Sequence, residues 1–348
     1  MTPQPPVVNL ALQGGGAHGA FTWGVLDALL EDGRLAFDGL SGASAGAMNA
    51  AVLVQGWVED GPEGARAALD RFWHRIATHQ ALTPLRSAER ALWGHDLTWS
   101  LAWQGFDTLV RRMSPYQFNP LGWNPLRNVI RDTLDFDRIR AEARHRLFVA
   151  ATDVASGKIR VFTGDELSAE ALVASACLPF LFQAPEIDGR RYWDGGYAGN
   201  PPLWPLVERC APHDIVLVEV NPVNRPDLPV SAPDILNRMN EIGMTAPLRG
   251  EIRALERGRS QPAARPGLVR RLVRAWRDQP QPAGWPHIHA IHDDEAMAAY
   301  NVSTKFNTEL SFLHELKALG VSASRAWLAG HFNDLGVRDS VDLRARYL

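Results

Sequence analysis

Hydrophobic runs alternate with glycine turns and helical repeats in the first part of the chain. Val7–Leu12 is a β-rich run that stops at three consecutive glycines. Phe21, Val25 and Leu29 then recur at helical spacing until another glycine closes the segment. This order predicts a strand, a glycine loop and a helix.

The next segment repeats the arrangement of strand, turn and helix. An extended stretch over residues 35–40 leads into a turn at Ser44, and the alanine-rich stretch after it predicts a helix that ends near Gly56. Small residues lie on nearly every side of this helix, which indicates a buried element.

Later hydrophobic runs predict further strands over residues 146–151, 158–162 and 215–220, and the alternating stretch "HIHAIH" also has strand character. Strands that alternate with helices are typical of an α/β fold. We expect an α/β/α core in three layers, in which helices cover both faces of a mostly parallel sheet.

Residues 82–125 interrupt this pattern with an aromatic-rich insertion. Its aromatic residues are Trp93, Trp99, Trp103, Phe106, Tyr116, Phe118 and Trp123. The segment suits a lid over an apolar substrate channel, or a helical insertion that packs its tryptophans on the core, and the two are compatible. The composition shifts to proline and arginine after Val220, so we expect a core domain over residues 1–222 and a mostly helical extension over residues 223–348.

The composition of the chain argues against several classes of function, including nucleic-acid binding and metal binding through cysteines. The chain has 348 residues and a formal charge of −3, which gives no reason to expect a nucleic-acid partner. Its two cysteines, Cys177 and Cys210, do not form a zinc-type spacing or a disulfide scaffold. No signal-peptide pattern and no run of ~18 apolar residues is present. We therefore expect a soluble cytoplasmic protein without a metal or cofactor.

The strongest candidate for chemistry is Ser44, which lies between Gly42 and Gly46 in a GxSxG pattern. A strand before it and a helix after it suit a nucleophile elbow, in which small neighbours permit a sharp turn that exposes the serine hydroxyl. The alternative is an ordinary helix N-cap.

The glycine loop after the first strand is a candidate anion cradle. Gly14, Gly15 and Gly16 offer unhindered backbone N–H groups at a helix start, which suits a phosphate or the oxyanion of an ester under attack. The same glycines also fit the dinucleotide fingerprint, with Asp38 as the ribose ligand. The very short strand before Ser44 disfavours that alternative.

A third motif is "YWDGGYAGNPP", in which Asp194 follows a short strand and precedes Gly195 and Gly196. Its carboxylate is placed at a tight turn whose backbone can approach another loop. By itself this pattern is typical of an ordinary turn.

The order of glycine loop, GxSxG and DGG resembles the patatin-like phospholipase family over about residues 7–220. The stretch "ASACLPFLFQAP" and Asn200 are also similar to that family. The resemblance implies a catalytic dyad of Ser44 and Asp194, with an oxyanion hole at Gly14, Gly15 and Gly16. The chain departs from the family at His18, where members usually carry arginine or lysine, so a positive charge there would depend on pH.

Two other function classes remain to be weighed. An α/β-hydrolase with a Ser-His-Asp triad would draw its base from His213, His287, His289 or His292, but its elbow normally follows several strands. A binding protein could use the glycine loop for an anionic ligand, but it has no need of both Ser44 and Asp194.

The substrate and partners are less defined than the reaction. Acyl ester lipids fit the resemblance, and so do hydroxyalkanoate polyesters or their oligomers. The stretch from Arg265 to Arg277 interleaves arginines with apolar residues, which suits either an anionic membrane surface or a solvated helix with salt bridges. Phe312, Leu316 and Leu319 form an apolar helix face that fits the core or a second subunit of a homo-oligomer.

Overall fold

The computed structural model describes residues 5–79, 101–211, 214–225, 228–260 and 285–348. Within these residues a central sheet of eight strands organises the chain. The strands are β1 (Val7–Leu12), β2 (Ala36–Ala43), β3 (Arg146–Asp153), β4 (Ile159–Phe162), β5 (Glu186–Ile187), β6 (Arg190–Asp194), β7 (Ile215–Val218) and β8 (Ile288–Ile291).

The sheet is mixed but mostly parallel, as the sequence predicts. Its order is β5-β6-β3-β2-β1-β7-β8, and β4 pairs with β3. The central strands β3, β2, β1, β7 and β8 are parallel, whereas β4 and β6 run antiparallel to β3. The carboxyl ends of β1, β2 and β7 therefore meet at one edge, where loops of different strands can form a shared site.

Helices cover both faces of the sheet and complete a three-layer α/β/α arrangement. They are α1 (Gly19–Asp32) and α2 (Ala45–Thr78), followed by the helices Leu101–Arg112, Pro115–Phe118, Pro125–Thr133, Phe136–Glu142, Ala169–Ser175, Trp204–Arg209, Ala232–Ser260, Asp294–Ala298, Leu310–His331 and Leu343–Tyr347. One apolar cluster packs α1 and α2 on the sheet, and a second packs Ala232–Ser260 and Leu343–Tyr347 on the other face.

Two predicted boundaries near Ser44 are wrong. Strand β2 continues to Ala43 instead of ending at residue 40, so it leads directly into Ser44. Helix α2 does not end near Gly56 but runs to a break at Asp60 and Gly61, and then continues to Thr78. Gly56 serves close packing within the helix, because a Cβ there would lie 2.4 Å from the carbonyl oxygen of Gly64.

The C-terminal extension packs closely on the core and adds β8 to the sheet beside β7. Its helix Leu310–His331 crosses α1 at close range, since a Cβ on Gly320 would lie 2.0 Å from the carbonyl oxygen of Phe21. Phe312 and Leu316 are fully buried at this contact. The predicted apolar face thus docks on the core of its own chain.

Two predictions concern membranes: the lack of a membrane-spanning run and the membrane-facing character of an arginine-rich stretch. No helix among the described residues is both long and apolar enough to span a bilayer. The arginine-rich stretch from Arg265 to Arg277 lies outside the described residues, as do residues 82–100 of the aromatic insertion.

Candidate active site

Ser44 occupies a strained turn between β2 and α2. Its backbone has φ 53° and ψ −126°, a conformation that residues with a side chain rarely adopt and that is found at functional turns. Ser44 stands at the N-cap position of α2, but its side chain makes no capping hydrogen bond. The hydroxyl is therefore not used as an ordinary helix cap.

Gly46 shows why the turn needs small residues. A Cβ at this position would lie 2.1 Å from the carbonyl oxygen of Leu12, at the end of β1. The first turn of α2 can therefore approach the end of β1 only if residue 46 is glycine. Gly42 is equally confined, since a Cβ there would lie 2.6 Å from the backbone nitrogen of Ala47.

Asp194 lies near Ser44 because β6, which ends at Asp194, and β2, which ends one residue before Ser44, both pair with β3. Ala43 of β2 pairs with Ala150 of β3, and Asp194 of β6 pairs with Ala151. The two residues therefore leave the sheet at adjacent positions on opposite sides of β3. The Ser44 hydroxyl lies close enough to the Asp194 carboxylate to favour its charged form.

The carboxylate of Asp194 is held rigidly and away from solvent. Its Oδ1 accepts a hydrogen bond of 2.8 Å from the N–H of Gly196, and its backbone carbonyl accepts one of 2.8 Å from Thr152. Only 3% of the residue is exposed. Burial raises the pKa of Asp194 from 3.8 to about 6, although the Gly196 N–H, the Ser44 hydroxyl and Lys305 favour the charged form.

The stretch that precedes Asp194 braces both candidate residues. Ser175 accepts a hydrogen bond of 2.9 Å from the backbone N–H of Ser44 through its Oγ. The carbonyl of Cys177 accepts one of 2.8 Å from the N–H of Asp194. The serine turn and the aspartate turn are thus fastened to one short segment.

The glycine loop lies at the same edge of the sheet, but its three N–H groups are not equivalent. The N–H of Gly14 donates to Oδ1 of Asn200 at 2.6 Å, so it does not point to a ligand. This corrects the expectation that Gly14 supplies an oxyanion donor. The N–H groups of Gly15 and Gly16 meet no acceptor among the described residues.

Side chains outside the predicted motifs fix the loop. Oε1 of Gln13 accepts the backbone N–H groups of Val220 and Asn221, each at 2.9 Å, and Nδ2 of Asn221 donates to the carbonyl of Gly14 at 3.1 Å. Gly16 has φ +61°, and a Cβ there would lie 2.4 Å from the carbonyl oxygen of Lys305. The loop is therefore clamped between the end of β7 and the C-terminal extension.

His18 does not provide a titrating charge at the loop. Its Nε2 lies 2.8 Å from the hydroxyl of Thr304, and the ring packs beside Tyr300 and Phe312. Burial lowers the pKa of His18 well below 6.5, and the nearby charge of Lys305 adds to this effect. The imidazole is therefore neutral at physiological pH, contrary to the pH-dependent charge expected from the sequence.

Lys305 brings a positive charge to the site from the C-terminal extension. Its Nζ donates to Oδ1 of Asn221 at 2.7 Å and to Oδ1 of Asn240 at 3.2 Å. Burial lowers the pKa of Lys305 to about 8. Sequence reasoning missed this residue, because the stretch "STKFNT" matches no motif and lies more than 100 residues after the DGG turn.

Ser44, Asp194 and Lys305 line a common cavity of about 700 Å³. This volume lies within the usual range of ligand pockets. Most of its wall is apolar, with contributions from Met48, Phe72, Trp73, Ile76, Phe118, Trp123, Leu126, Leu178, Leu181, Phe182, Met244 and Val302. Phe118 and Trp123 belong to the aromatic insertion, so the described part of the insertion contributes to the cavity wall.

The alternative sites considered from the sequence are not assembled among the residues that the structure describes. No histidine is found in the cavity wall formed by the described residues. His289 lies on β8, where its Nε2 is 3.4 Å from Oδ1 of Asp214. His213 lies outside the described residues. Asp38 is near the start of β2, at the opposite end of the strand from Ser44, and accepts the N–H of Ala211. It therefore cannot hold a ribose at the glycine loop.

The comparison with protein families agrees with this fold. The family model described as patatin-like phospholipase matches residues 10–207. A search of curated proteins gives no match. Among solved structures, the crystal structure of VipD from Legionella pneumophila is similar with 16% sequence identity and a TM-score of 0.36, and the match covers 90% of this chain and 67% of that chain.

Proposed function

The chain belongs to the patatin-like phospholipase family, which indicates a lipid acyl hydrolase, and we propose that it hydrolyses acyl esters with Ser44 as nucleophile and Asp194 as general base. The observation that carries this proposal is the proximity of a serine on a strained elbow to a buried carboxylate in the wall of the same apolar cavity. No second base is needed in this arrangement.

In the first half-reaction, Oγ of Ser44 attacks the ester carbonyl while Asp194 accepts the hydroxyl proton. The raised pKa of Asp194 supports this role, since a carboxylate at its usual pKa is a weak base for serine. The N–H groups of Gly15 and Gly16 stabilise the oxyanion of the tetrahedral intermediate. The protonated Asp194 then gives its proton to the leaving alcohol.

In the second half-reaction, water attacks the acyl-serine and Asp194 accepts its proton. The tetrahedral intermediate collapses, the acid leaves, and the proton returns to Oγ of Ser44. Each half-reaction returns Asp194 to its ionised form. The apolar wall of the cavity suits the hydrocarbon chain of the acyl group, because burying that chain is favourable.

Steady-state hydrolysis of a chromogenic p-nitrophenyl ester tests the proposal. We expect Ser44→Ala and Asp194→Asn each to lower kcat/KM by about 10³-fold or more, because the two groups act as a unit. Ser41→Ala is the matched control: Ser41 is a buried serine of β2, three residues before Ser44, and its hydroxyl donates to the Pro202 carbonyl. Retention of most of the activity in Ser44→Ala would refute the proposal.

A further inference from the structure

Lys305 is the least explained charge in the cavity wall. Its ammonium group has three N–H donors, and the two assigned bonds go to neutral amide oxygens of Asn221 and Asn240. No carboxylate of the described residues lies within 4 Å of Nζ. Lys305 is partly exposed as a residue, and it lines the cavity.

Nearby acidic groups do not neutralise this charge. Glu241 attracts Lys305 at longer range, but its carboxylate is bound by Arg225 at 2.7 Å and by Arg238 at 3.1 Å. Three cations, Arg225, Arg238 and Lys305, thus share the single carboxylate of Glu241. Asp194 is the other acidic group that acts on Lys305, and its proton-accepting role leaves it neutral during part of the reaction.

A purely structural role explains the position of Lys305 but not its charge. Its backbone carbonyl packs on Gly16, and its side chain holds Asn221, which in turn bonds to the Gly14 carbonyl. A neutral donor of similar length could hold the Asn221 amide equally well. An ammonium group in dense protein surroundings is costly unless an opposite charge accompanies it.

We propose that Lys305 is the anion-binding residue of the cavity, so that the preferred substrate is an acyl ester that carries a carboxylate or phosphate group beside its apolar chain. The ester part of this statement rests on the proposed function. Lys305 lies outside the residues matched by the family model, so the extension supplies a specificity determinant to the core. Asn240 and Thr308 line the cavity with it.

Ligand binding tests this proposal without catalysis. The full chain is titrated calorimetrically with decanoate, decyl phosphate and decanol, which share one chain and differ in head group. We expect at least one anion to bind about 10- to 100-fold more tightly than decanol, as for a charge-assisted hydrogen bond. The arm with the larger preference distinguishes a carboxylate from a phosphate ligand.

The variants Lys305→Met and Lys305→Gln remove the charge, and the second retains a donor for Asn221. Both should abolish the preference for the anion, and Lys305→Arg should restore most of it. Lys158→Met is the matched control, because it removes the same charge from an exposed residue outside the cavity wall. Melting temperatures establish that each variant is folded.

Several results would overturn the proposal. These are the absence of an anion preference in the unmodified chain, an unchanged preference in folded Lys305→Gln, or an equal loss of affinity for all three ligands. The proposed function fails by a different result, retained hydrolysis in Ser44→Ala. Because the titrations need no turnover, they are decisive whichever way the kinetic test comes out.

Discussion

Replacing Asp194 with asparagine should stabilise the fold at pH 8 while it removes the proposed catalytic base. Asp194 is 3% exposed, and burial raises the pKa of its carboxylate from 3.8 to about 6. That difference corresponds to about 3 kcal/mol of unfolding free energy, which the ionised group costs the folded state. Asparagine is close in shape and its amide oxygen can still accept the Gly196 N–H.

The sign of the effect follows from proton linkage. Between pH 3.8 and about 6 the folded chain binds more protons at Asp194 than the unfolded chain does, so this group makes stability decrease as pH rises through that window. The penalty is complete above about pH 6 and absent below 3.8. Asp194→Asn should therefore gain up to about 3 kcal/mol at pH 8 and almost none at pH 3.5.

Urea unfolding at the two pH values measures this difference, provided that both proteins unfold reversibly. Asp165→Asn, at an exposed position in the turn Gly164–Glu166, controls for the general loss of one acidic residue. If Asp194→Asn were less stable than the unmodified chain at pH 8, or equally affected at both values, the carboxylate would not be carrying a burial penalty. The explanation of its basicity would then be wrong.

Further predictions concern the same site and the docking of the extension. In a pH profile of kcat/KM for a neutral ester, measured between pH 4.5 and 7, the value should fall about tenfold per pH unit below about pH 6, because Asp194 becomes protonated. The same inflection should persist in His18→Gln. Loss of the inflection in that variant would assign it to His18 instead of Asp194. Gly320→Ala should destabilise the chain by about 1–3 kcal/mol in thermal or chemical unfolding, because the new methyl group collides with the Phe21 carbonyl. Gly330→Ala in the same helix is the control, because nothing lies within 4 Å of its added methyl group. This change should leave the free energy of unfolding unchanged or raise it by about 0.5–1 kcal/mol. Equal effects of the two changes would refute the packing explanation.

Sequence patterns located the core of the candidate site because its constraints are local. The strained turn at Ser44 needs glycines two residues away on either side, and the Asp194 turn likewise needs adjacent glycines. Such requirements leave a motif within a few residues. The fold class was accessible for a similar reason, since short hydrophobic runs that alternate with helical repeats are characteristic of the parallel sheet that was found.

The parts that sequence reasoning missed depend on contacts between distant residues. Gly14 loses its expected role because Asn200, 186 positions later, accepts its N–H. Lys305 reaches the glycine loop only because the extension folds back over α1, and nothing in its neighbours marks that path. Helix α2 continues beyond Gly56, and Gly64, which follows the break in the helix, packs against Gly56. The glycine that the sequence pattern indicated as the helix end is therefore a packing position.

Labelling with a fluorophosphonate, followed by mass mapping of the modified peptide, tests the central claim most directly. The reagent forms a covalent phosphonyl adduct that resembles the tetrahedral intermediate, so it reports an activated serine even when the natural ester is unknown. We predict a single adduct on Ser44 that is absent from Ser44→Ala and forms more slowly in Asp194→Asn. An adduct on another serine, or none on Ser44, would contradict the assignment of this dyad.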